Sequence, residues 1–352
     1  MSQISDMRCA TLLQYGGRLR LHTDDVPTPH GSEVLVKVQR CGICHTDVHL
    51  RHGYYELSEG RRWQFSDRGL NPPIRLGHEI YGEIVAVGPE GQGLHRQGVV
   101  FPWIGCGTCT FCNAGDEHLC PNNRFLGLRM PGGYSEYVML PDARYLFNTG
   151  DLDPAQSAAL ACAGLTAYSA LQKVKGAPGW LGIIGAGGIG LTAVALARAL
   201  GHVQVVAFEP DPRRRAAALA AGAQHAVDPK DAPALQALMA TMGGPAGAMV
   251  DFVGRPETYT LGTEGIVRGG RYVIVGLFGG EITVALPTLA LRAVSISGSA
   301  VGSFSDMTEL VDLARGGHLP NLPVELRNLD EVDSALDDLE AGRVTGRIVL
   351  RP

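Results

Sequence analysis

A glycine-rich run, Gly185-Ala186-Gly187-Gly188-Ile189-Gly190, joins the short apolar stretch Leu181–Ile184 to a long apolar stretch at 189–200. A lone G-x-G-x-x-G string says little, but this one sits where a buried strand turns into a helix. There the glycines permit a tight turn, a close approach of pyrophosphate to backbone N–H groups, and packing of helix on strand. The helix N-terminus then presents its unpaired N–H groups to an anion. Apolar runs at 203–208, 248–253 and 271–276 supply further parallel-type strands, with a helix at 213–221 between the first two. Ala207-Phe208-Glu209 ends the second strand in a carboxylate, which can take both ribose hydroxyls of NAD and repel the 2′-phosphate of NADP. Arg213, Arg214 and Arg215 follow at once and pull toward a phosphate; their ordinary alternative is a solvated first helical turn.

The chain before this unit has a different texture. From about residue 7 to 146 it reads as short alternating strands, such as 33–38 and 82–87, cut by Gly/Pro turns, a β-rich or α+β pattern. An Ala-rich helix begins near Pro154, and past Ser297 come a helix near 307–314, a Leu- and Pro-rich segment and a last strand near 347–350. A chain of 352 residues exceeds one ordinary core, so two domains with a cleft between them are expected. Thirty basic against 35 acidic residues give a formal charge of −5, which offers nucleic acid or an anionic membrane no overall attraction. No apolar run reaches the ~18–20 residues of a spanning helix, and the N-terminus lacks the basic-then-apolar order of a signal peptide. The expectation is a cytoplasmic protein with small-molecule partners, bound to neither nucleic acid nor membrane.

In such a chain eight cysteines argue for metal ligands before disulfides. Cys106, Cys109, Cys112 and Cys120 follow the spacing C-x2-C-x2-C-x7-C, which lets one lobe aim four thiolates at one tetrahedral ion. Zinc suits that set, an iron–sulfur cluster is the rival, and four sulfurs leave no open position, so the site is structural. Cys44-His45-Thr46-Asp47-Val48-His49, Gly77-His78-Glu79 and Cys162 offer two thiolates and an imidazole, the three-ligand pattern of a catalytic zinc. Singly, each has a plainer reading: Cys162 in an Ala-rich helix as a small core residue, a lone His as structural. Cys9 stands apart, and Cys41 with Cys44 spells C-x-x-C.

Gly77-His78-Glu79-Ile80-Tyr81-Gly82, with Gly88 beyond, resembles the G-H-E-x-x-G zinc signature of the alcohol dehydrogenases. The likeness covers nearly the whole chain, which on it is identified as a member of the zinc-dependent, NAD-linked medium-chain dehydrogenase/reductase family. The resemblance implies Cys44, His78 and Cys162 as ligands of a catalytic zinc, with Glu79 able to enter the coordination transiently. Cys41 falls outside the ligand positions, and a redox C-x-x-C would need a thioredoxin-like βαβ context that is missing. By the same resemblance Thr46 and His49 relay the alcohol proton through the cofactor ribose, and Asp47 hydrogen-bonds the far nitrogen of His78. The alternative for Asp47 is a helix N-terminal acid. The resemblance also implies His45 near the pyrophosphate, Thr166 near the nicotinamide and Arg347 as a phosphate contact. Arg214 is assigned to the cofactor with Gly185, Gly187, Gly188, Ile189, Gly190 and Glu209.

The implied whole is α/β: a GroES-like β-rich catalytic domain from 1–163 and 302–352 around a Rossmann domain at 164–301. It carries NAD and two zinc ions per chain, and assembles as a homodimer or homotetramer through the segment near 272–300. Its substrate is an alcohol and the matching aldehyde or ketone, with zinc lowering the alcohol pKa as a Lewis acid. A zinc-free quinone-reductase-like NADPH enzyme would not keep both ligand sets, and a non-enzymatic structural relative would not need intact ligands, relay and glycines. Residues 54–73 make the interval between Cys44 and His78 longer than in many similar enzymes, and carry Trp63 and Phe65 beside Arg61, Arg62 and Arg68. They are read as a loop over the cleft that walls a pocket for a bulky, aromatic, allylic or cyclic alcohol, with Trp103 a further wall. A solvated loop or subunit contact is the equal alternative, and a stricter version has the arginines binding an anionic substrate.

Overall fold

A computed structural model describes residues 5–319 and 321–352; residues 1–4 and Pro320, which fall inside the expected outer domain, lie outside the described residues. The chain opens with an antiparallel hairpin, β1 (Asp6–Leu12) and β2 (Leu19–Asp25). It continues through β3 (Val34–Gly42), helix α1 (His45–His52), a small hairpin of β4 (Tyr54–Glu56) and β5 (Arg62–Gln64), then β6 (Glu79–Val87) and β7 (Gln97–Val100). After the short helix α2 (Thr110–Asn113) come β8 (Tyr137–Leu140) and β9 (Leu146–Phe147). Val34, Val36 and Val38 on β3 and Ile80 and Ile84 on β6 are buried, and antiparallel pairing of these two strands forms the spine of a seven-stranded sheet.

Helices α3 (Pro154–Ala159) and α4 (Leu165–Lys173) lead into the second layer. A single π-helical turn, Leu160–Gly164, separates them and contains Cys162. Such a turn inserts a residue into an otherwise continuous helix and re-aims the side chains that follow. Next come β10 (Leu181–Ile184), α5 (Gly188–Ala199), β11 (Val205–Phe208), α6 (Pro212–Ala221), β12 (His225–Val227), α7 (Ala232–Met242) and β13 (Ala246–Asp251). Helix α8 (Pro256–Glu264), β14 (Ile266–Ile274), α9 (Leu286–Arg292) and β15 (Ser295–Gly298) complete the layer.

Its six strands lie in the order β12-β11-β10-β13-β14-β15 with all neighbours parallel. This is the doubly wound arrangement expected from the glycine run, and its switch point falls between β10 and β13, where such sheets open a crevice at their carboxyl ends. Every residue of β10, β11 and β13 is buried, as strands covered by helices on both faces must be. Gly185 takes φ +85°, and a Cβ on Gly190 would lie 1.8 Å from the Gly185 carbonyl oxygen, so turn and helix seat only with hydrogen at both positions.

After α10 (Phe304–Arg315) the chain returns to the first sheet: β16 (Val324–Asn328) pairs with β17 (Arg347–Arg351), β17 pairs with β3, and α11 (Val332–Glu340) lies between them in sequence. The first and last parts of the chain thus share a sheet, and the parallel layer is inserted between them. No helix among the described residues is long and apolar enough to cross a membrane.

Candidate active site

Three separate elements deliver Cys44, His78 and Cys162 to one place. Cys44 is the N-cap of α1, His78 immediately precedes β6, and Cys162 comes from the π-helical turn. Their ligand atoms, with a carboxylate oxygen of Glu79, lie within 4.8 Å of one another, and all four residues are buried. The Cys44 and Cys162 sulfurs stand 3.9 Å apart. Two thiolates at about 2.3 Å from a tetrahedral zinc would be about 3.8 Å apart. His78 Nε2 and Glu79 Oε1 are buried without a hydrogen-bond partner, a costly state that a cation between them would relieve. The residues therefore fit a zinc ion.

Asp47 sits at the start of α1 and beside His78, although its Oδ1 and His78 Nδ1 make no hydrogen bond. Its Oδ2 accepts the Cys44 N–H and the Tyr134 hydroxyl, each at 2.9 Å, and its Oδ1 lies 3.4 Å from His78 Nδ1. One carboxylate thus caps the helix that carries Cys44 and steers the imidazole, leaving Nε2 for a metal. The hydrogen bond with Cys162, aided by His78 and Arg347, pulls the Cys44 thiol well below the usual range, while the same contact pushes Cys162 up. Even without an ion, this pair favours one thiolate. Cys41 is equally buried but outside the cluster, its thiol directed at the Gly42 carbonyl. The C-x-x-C pattern has no structural counterpart.

Cys44 also opens onto a cleft that runs to the glycine turn. His45, Thr46, His49, Gly185, Gly187, Gly188, Ile189, Gly190, Glu209, Arg214 and Arg347 all line it. Glu209 is buried, with Oε2 accepting the Ala186 N–H at 2.8 Å and Oε1 the Asp211 N–H at 3.0 Å. The three arginines after it part company. Arg213 pairs with Asp211 at 2.8 Å in solvent, and Arg215 donates to the Glu209 and Pro210 carbonyls, so neither faces the cleft. Arg214 does, anchored by the Gly342 and Val344 carbonyls. Thr166 is buried with an unpartnered hydroxyl and does not form part of the cleft wall.

Arg347 differs most from expectation. It lines the cleft, but its guanidinium is buried in a close ion pair with Glu79, so its first partner is a carboxylate beside the metal cluster. Burial raises the Glu79 pKa and Arg347 pulls it back. The pair needs Gly42, where a Cβ would meet Glu79 Oε2 at 2.1 Å.

Some distance along the chain, Cys106, Cys109, Cys112 and Cys120 gather around α2. The Cys109–Cys112, Cys109–Cys120 and Cys106–Cys112 sulfurs are 3.5, 3.7 and 3.9 Å apart, again near the edge of a zinc tetrahedron. The group contains four sulfurs and no other ligand type.

The model of the alcohol dehydrogenase GroES-like domain matches residues 30–151, and that of the zinc-binding dehydrogenase domain matches 188–315. An NAD-dependent alcohol dehydrogenase of Sulfurisphaera tokodaii is 35% identical over 351 residues, covering 98% of this chain and 100% of that protein. One from Saccharolobus solfataricus is 34% identical over the same shares. The crystal structure of the alcohol dehydrogenase from Aeropyrum pernix superimposes with a TM-score of 0.88 at 33% identity, over 98% of this chain and 100% of that one. The chain belongs to the zinc-type medium-chain alcohol dehydrogenases.

In this dehydrogenase residues 54–64 of the stretch expected as a loop form the β4–β5 hairpin, and irregular chain with one short 3-10 turn continues to Pro73. Tyr55 on β4 stacks on Trp63 at 5.4 Å, meets Phe65 edge-on at 4.9 Å, and reaches the His49 ring at 4.9 Å. Phe278, from the loop after β14, closes on His45 at 4.9 Å. Arg61 pairs with Glu281, Arg62 lies 3.9 Å over the Tyr54 ring, and Arg68 lies 4.2 Å over Trp63, so all three guanidinium groups are engaged. Trp103 lies 5.4 Å from the His78 ring, and its Nε1–H donates to the Ala161 carbonyl at 2.9 Å. The indole therefore braces two ligand-bearing segments at once. Tyr134, Tyr55, Phe278 and Gly42 are contributors that the sequence reading missed. Only their places in space mark them, since a tyrosine or glycine in a β-rich segment carries no signal of its own.

Proposed function

We propose that this dehydrogenase oxidises a bulky, uncharged alcohol, aromatic, allylic or cyclic, and reduces the matching aldehyde or ketone with NAD as cofactor. One zinc would be held by Cys44, His78 and Cys162 and a second by Cys106, Cys109, Cys112 and Cys120. The observation that carries the reading is the convergence of Cys44, His78 and Cys162, with His78 Nε2 buried and unpartnered, at the wall of the cleft that ends on the glycine turn. Alcohol/carbonyl chemistry with NAD is what the named relatives share. The outer catalytic unit is taken as 1–163 with 302–352 and the Rossmann unit as 164–301.

When bound, zinc polarises the alcohol oxygen as a Lewis acid and the nicotinamide takes the hydride. The chain's own residues do the rest. Thr46 offers a hydroxyl at the cleft wall one turn of α1 before His49. Burial lowers the His49 pKa to about 4, so at neutral pH its imidazole is an unprotonated acceptor at the end of the relay. Asp47 sets the His78 tautomer, and Arg347 keeps Glu79 turned toward itself. The Glu209 carboxylate favours ribose hydroxyls over a 2′-phosphate, because another anion would lie against a buried charge. Tyr55 and Trp63 line a neighbouring pocket that shares Gly276 and Leu277 with the cleft, Tyr55 reaches the His49 ring, and Trp103 packs on the His78 ring. This aromatic surround, with Arg61, Arg62 and Arg68 already engaged, favours bulky neutral substrates over anions. All eight cysteines stand unbridged, which suits the reducing cytoplasm.

The test is turnover on paired alcohols with NAD and NADP. A benzylic or cyclic alcohol with NAD should show kcat/KM at least about tenfold above ethanol, roughly the discrimination of one to two buried methylenes. Equal values, or a preference for NADP, would refute the reading.

A further inference from the structure

The β1–β2 hairpin holds a cluster that none of the dehydrogenase chemistry uses. Cys9 and His22 are directly opposed in the antiparallel register, and Asp24 lies two residues beyond His22, on the same face of its strand. Cys9 is buried, His22 half-buried and Asp24 exposed. One ligand atom from each lies within 4.8 Å of the other two. We propose that Cys9, His22 and Asp24 form a third metal site, suited to zinc or another thiophilic divalent ion, with its remaining position open to water.

Several observations support a metal in this place. Cys9 Sγ stands 3.3 Å from His22 Nε2, while bonds of about 2.3 and 2.1 Å to a tetrahedral zinc would set these atoms about 3.6 Å apart. Closing around an ion needs a shift of only a few tenths of an ångström. His22 Nδ1 lies 3.1 Å from the Arg20 carbonyl oxygen, to which it can only donate. That bond fixes the tautomer and leaves the Nε2 lone pair on the side of the thiol, the arrangement in which histidines ligate metals. Arg75 pairs with Asp24 Oδ2, and the Asp25 N–H donates to Oδ1 at 3.0 Å, so the carboxylate is held in place and still has lone pairs to give. Burial pushes the Cys9 thiol up, with Asp24 and Glu136 set against Arg75 around it; a divalent cation bound there would favour the thiolate and balance the acidic groups. The gradient from buried sulfur to exposed carboxylate gives an ion a path from solvent and a face for water.

A metal here would clip β1 to β2. That hairpin is otherwise fastened to the body by contacts such as the Ala10 N–H on the Tyr134 carbonyl and the Leu12 N–H on the Ile74 carbonyl. Binding to the folded state alone would raise its stability with metal concentration.

The experiment compares the metal content and zinc-dependent Tm of the full-length protein with those of Asp24→Asn, His22→Gln and Cys9→Ser. All four are equilibrated in the same zinc buffer and then freed of loose ions. The wild type should hold one equivalent per chain more than each variant and gain more Tm with zinc than any of them; alcohol turnover should be unchanged. Because the readout is a difference, it is independent of whether the two sites of the proposed function fill. If Cys9→Ser fails to fold, the substitutions at the more exposed His22 and Asp24 still decide the matter. Equal metal content in wild type and variants would overturn the proposal and leave the pair as an S–H···N hydrogen bond.

Discussion

Single side chains carry two jobs at several points of this dehydrogenase. Asp47 caps α1 and steers His78, and Trp103 touches the His78 ring while holding the carbonyl before Cys162. The ligand assignment gives a sharp contrast between neighbours. Cys44→Ala should reduce turnover by at least ~10³-fold while the protein stays folded and binds NAD, because it removes a ligand and leaves the cleft. Cys41→Ala, three residues before Cys44 but outside the cluster, should leave metal content and rate unchanged; steady-state kinetics with metal analysis separates the two. His49 yields a pH prediction. Its pKa is about 4 in the folded protein against 6.5 ordinarily, so the unfolded chain takes the proton first as pH falls. The stability contribution is full above pH 6.5, is lost progressively down to about pH 4 and levels off below, amounting to roughly 2–3 kcal/mol. His49→Gln should therefore lose less Tm than the wild type between pH 7 and 5, and should slow turnover mainly on the acid side of the optimum. Identical pH–Tm curves would show that burial of this imidazole has no such effect.

At the scale of elements, the π-helical turn and the cysteine lobe show how local backbone gathers the two ligand sets. The turn at Leu160–Gly164 interrupts the run from α3 to α4 at the residue whose sulfur must meet Cys44. The lobe has little regular structure beyond the four residues of α2, and its cysteines are largely half-exposed, so it has no core of its own to fall back on. Its order should depend on the ion. Cys109→Ser should lower Tm by several degrees or more and raise proteolysis within about residues 104–122, because metal binding energy there is folding energy. A Cys109→Ser protein with unchanged Tm and zinc content would show the lobe to be self-supporting. The β4–β5 hairpin reaches the segment after β14, where Arg61 and the Ser58 hydroxyl both engage Glu281 and a pocket lies between the two.

At the scale of the whole molecule, the parallel sheet ends in β12 on one side and β15 on the other. Helix α9 beside β15 exposes Leu286 and Leu291, 74% and 71% accessible. An unpaired strand with large apolar residues next to it is a surface that chains cover by association. We expect a dimer or larger assembly through this edge. Light scattering on Leu286→Glu/Leu291→Glu should show at least a halving of mass against the wild type, with the fold retained; a monomeric wild type would contradict it.

Much of this was legible before any coordinates. The glycine run between strand and helix dictated a parallel α/β unit, since only that geometry uses such a turn, and the C-x2-C-x2-C-x7-C spacing brought four sulfurs within reach of one ion, because contiguous residues cannot stray far. Glu209 at the end of a buried strand followed from the same local logic. Sites assembled from distant segments were different. Cys44, His78 and Cys162 could be named only through a resemblance, because nothing local marks 118 residues of separation as a 3.9 Å contact. The pairing of Arg347 with Glu79 across 268 positions, the Tyr134 bond to Asp47 and the Cys9–His22–Asp24 face depend on strand register and on how the last strand returns to the first sheet. The hairpin at 54–64 and the fates of Arg213, Arg214 and Arg215 likewise turned on what stood opposite them. Local spacing fixes turns and short-range ligands; long-range pairing is chosen by the burial of whole faces, and that choice is made only when the chain packs.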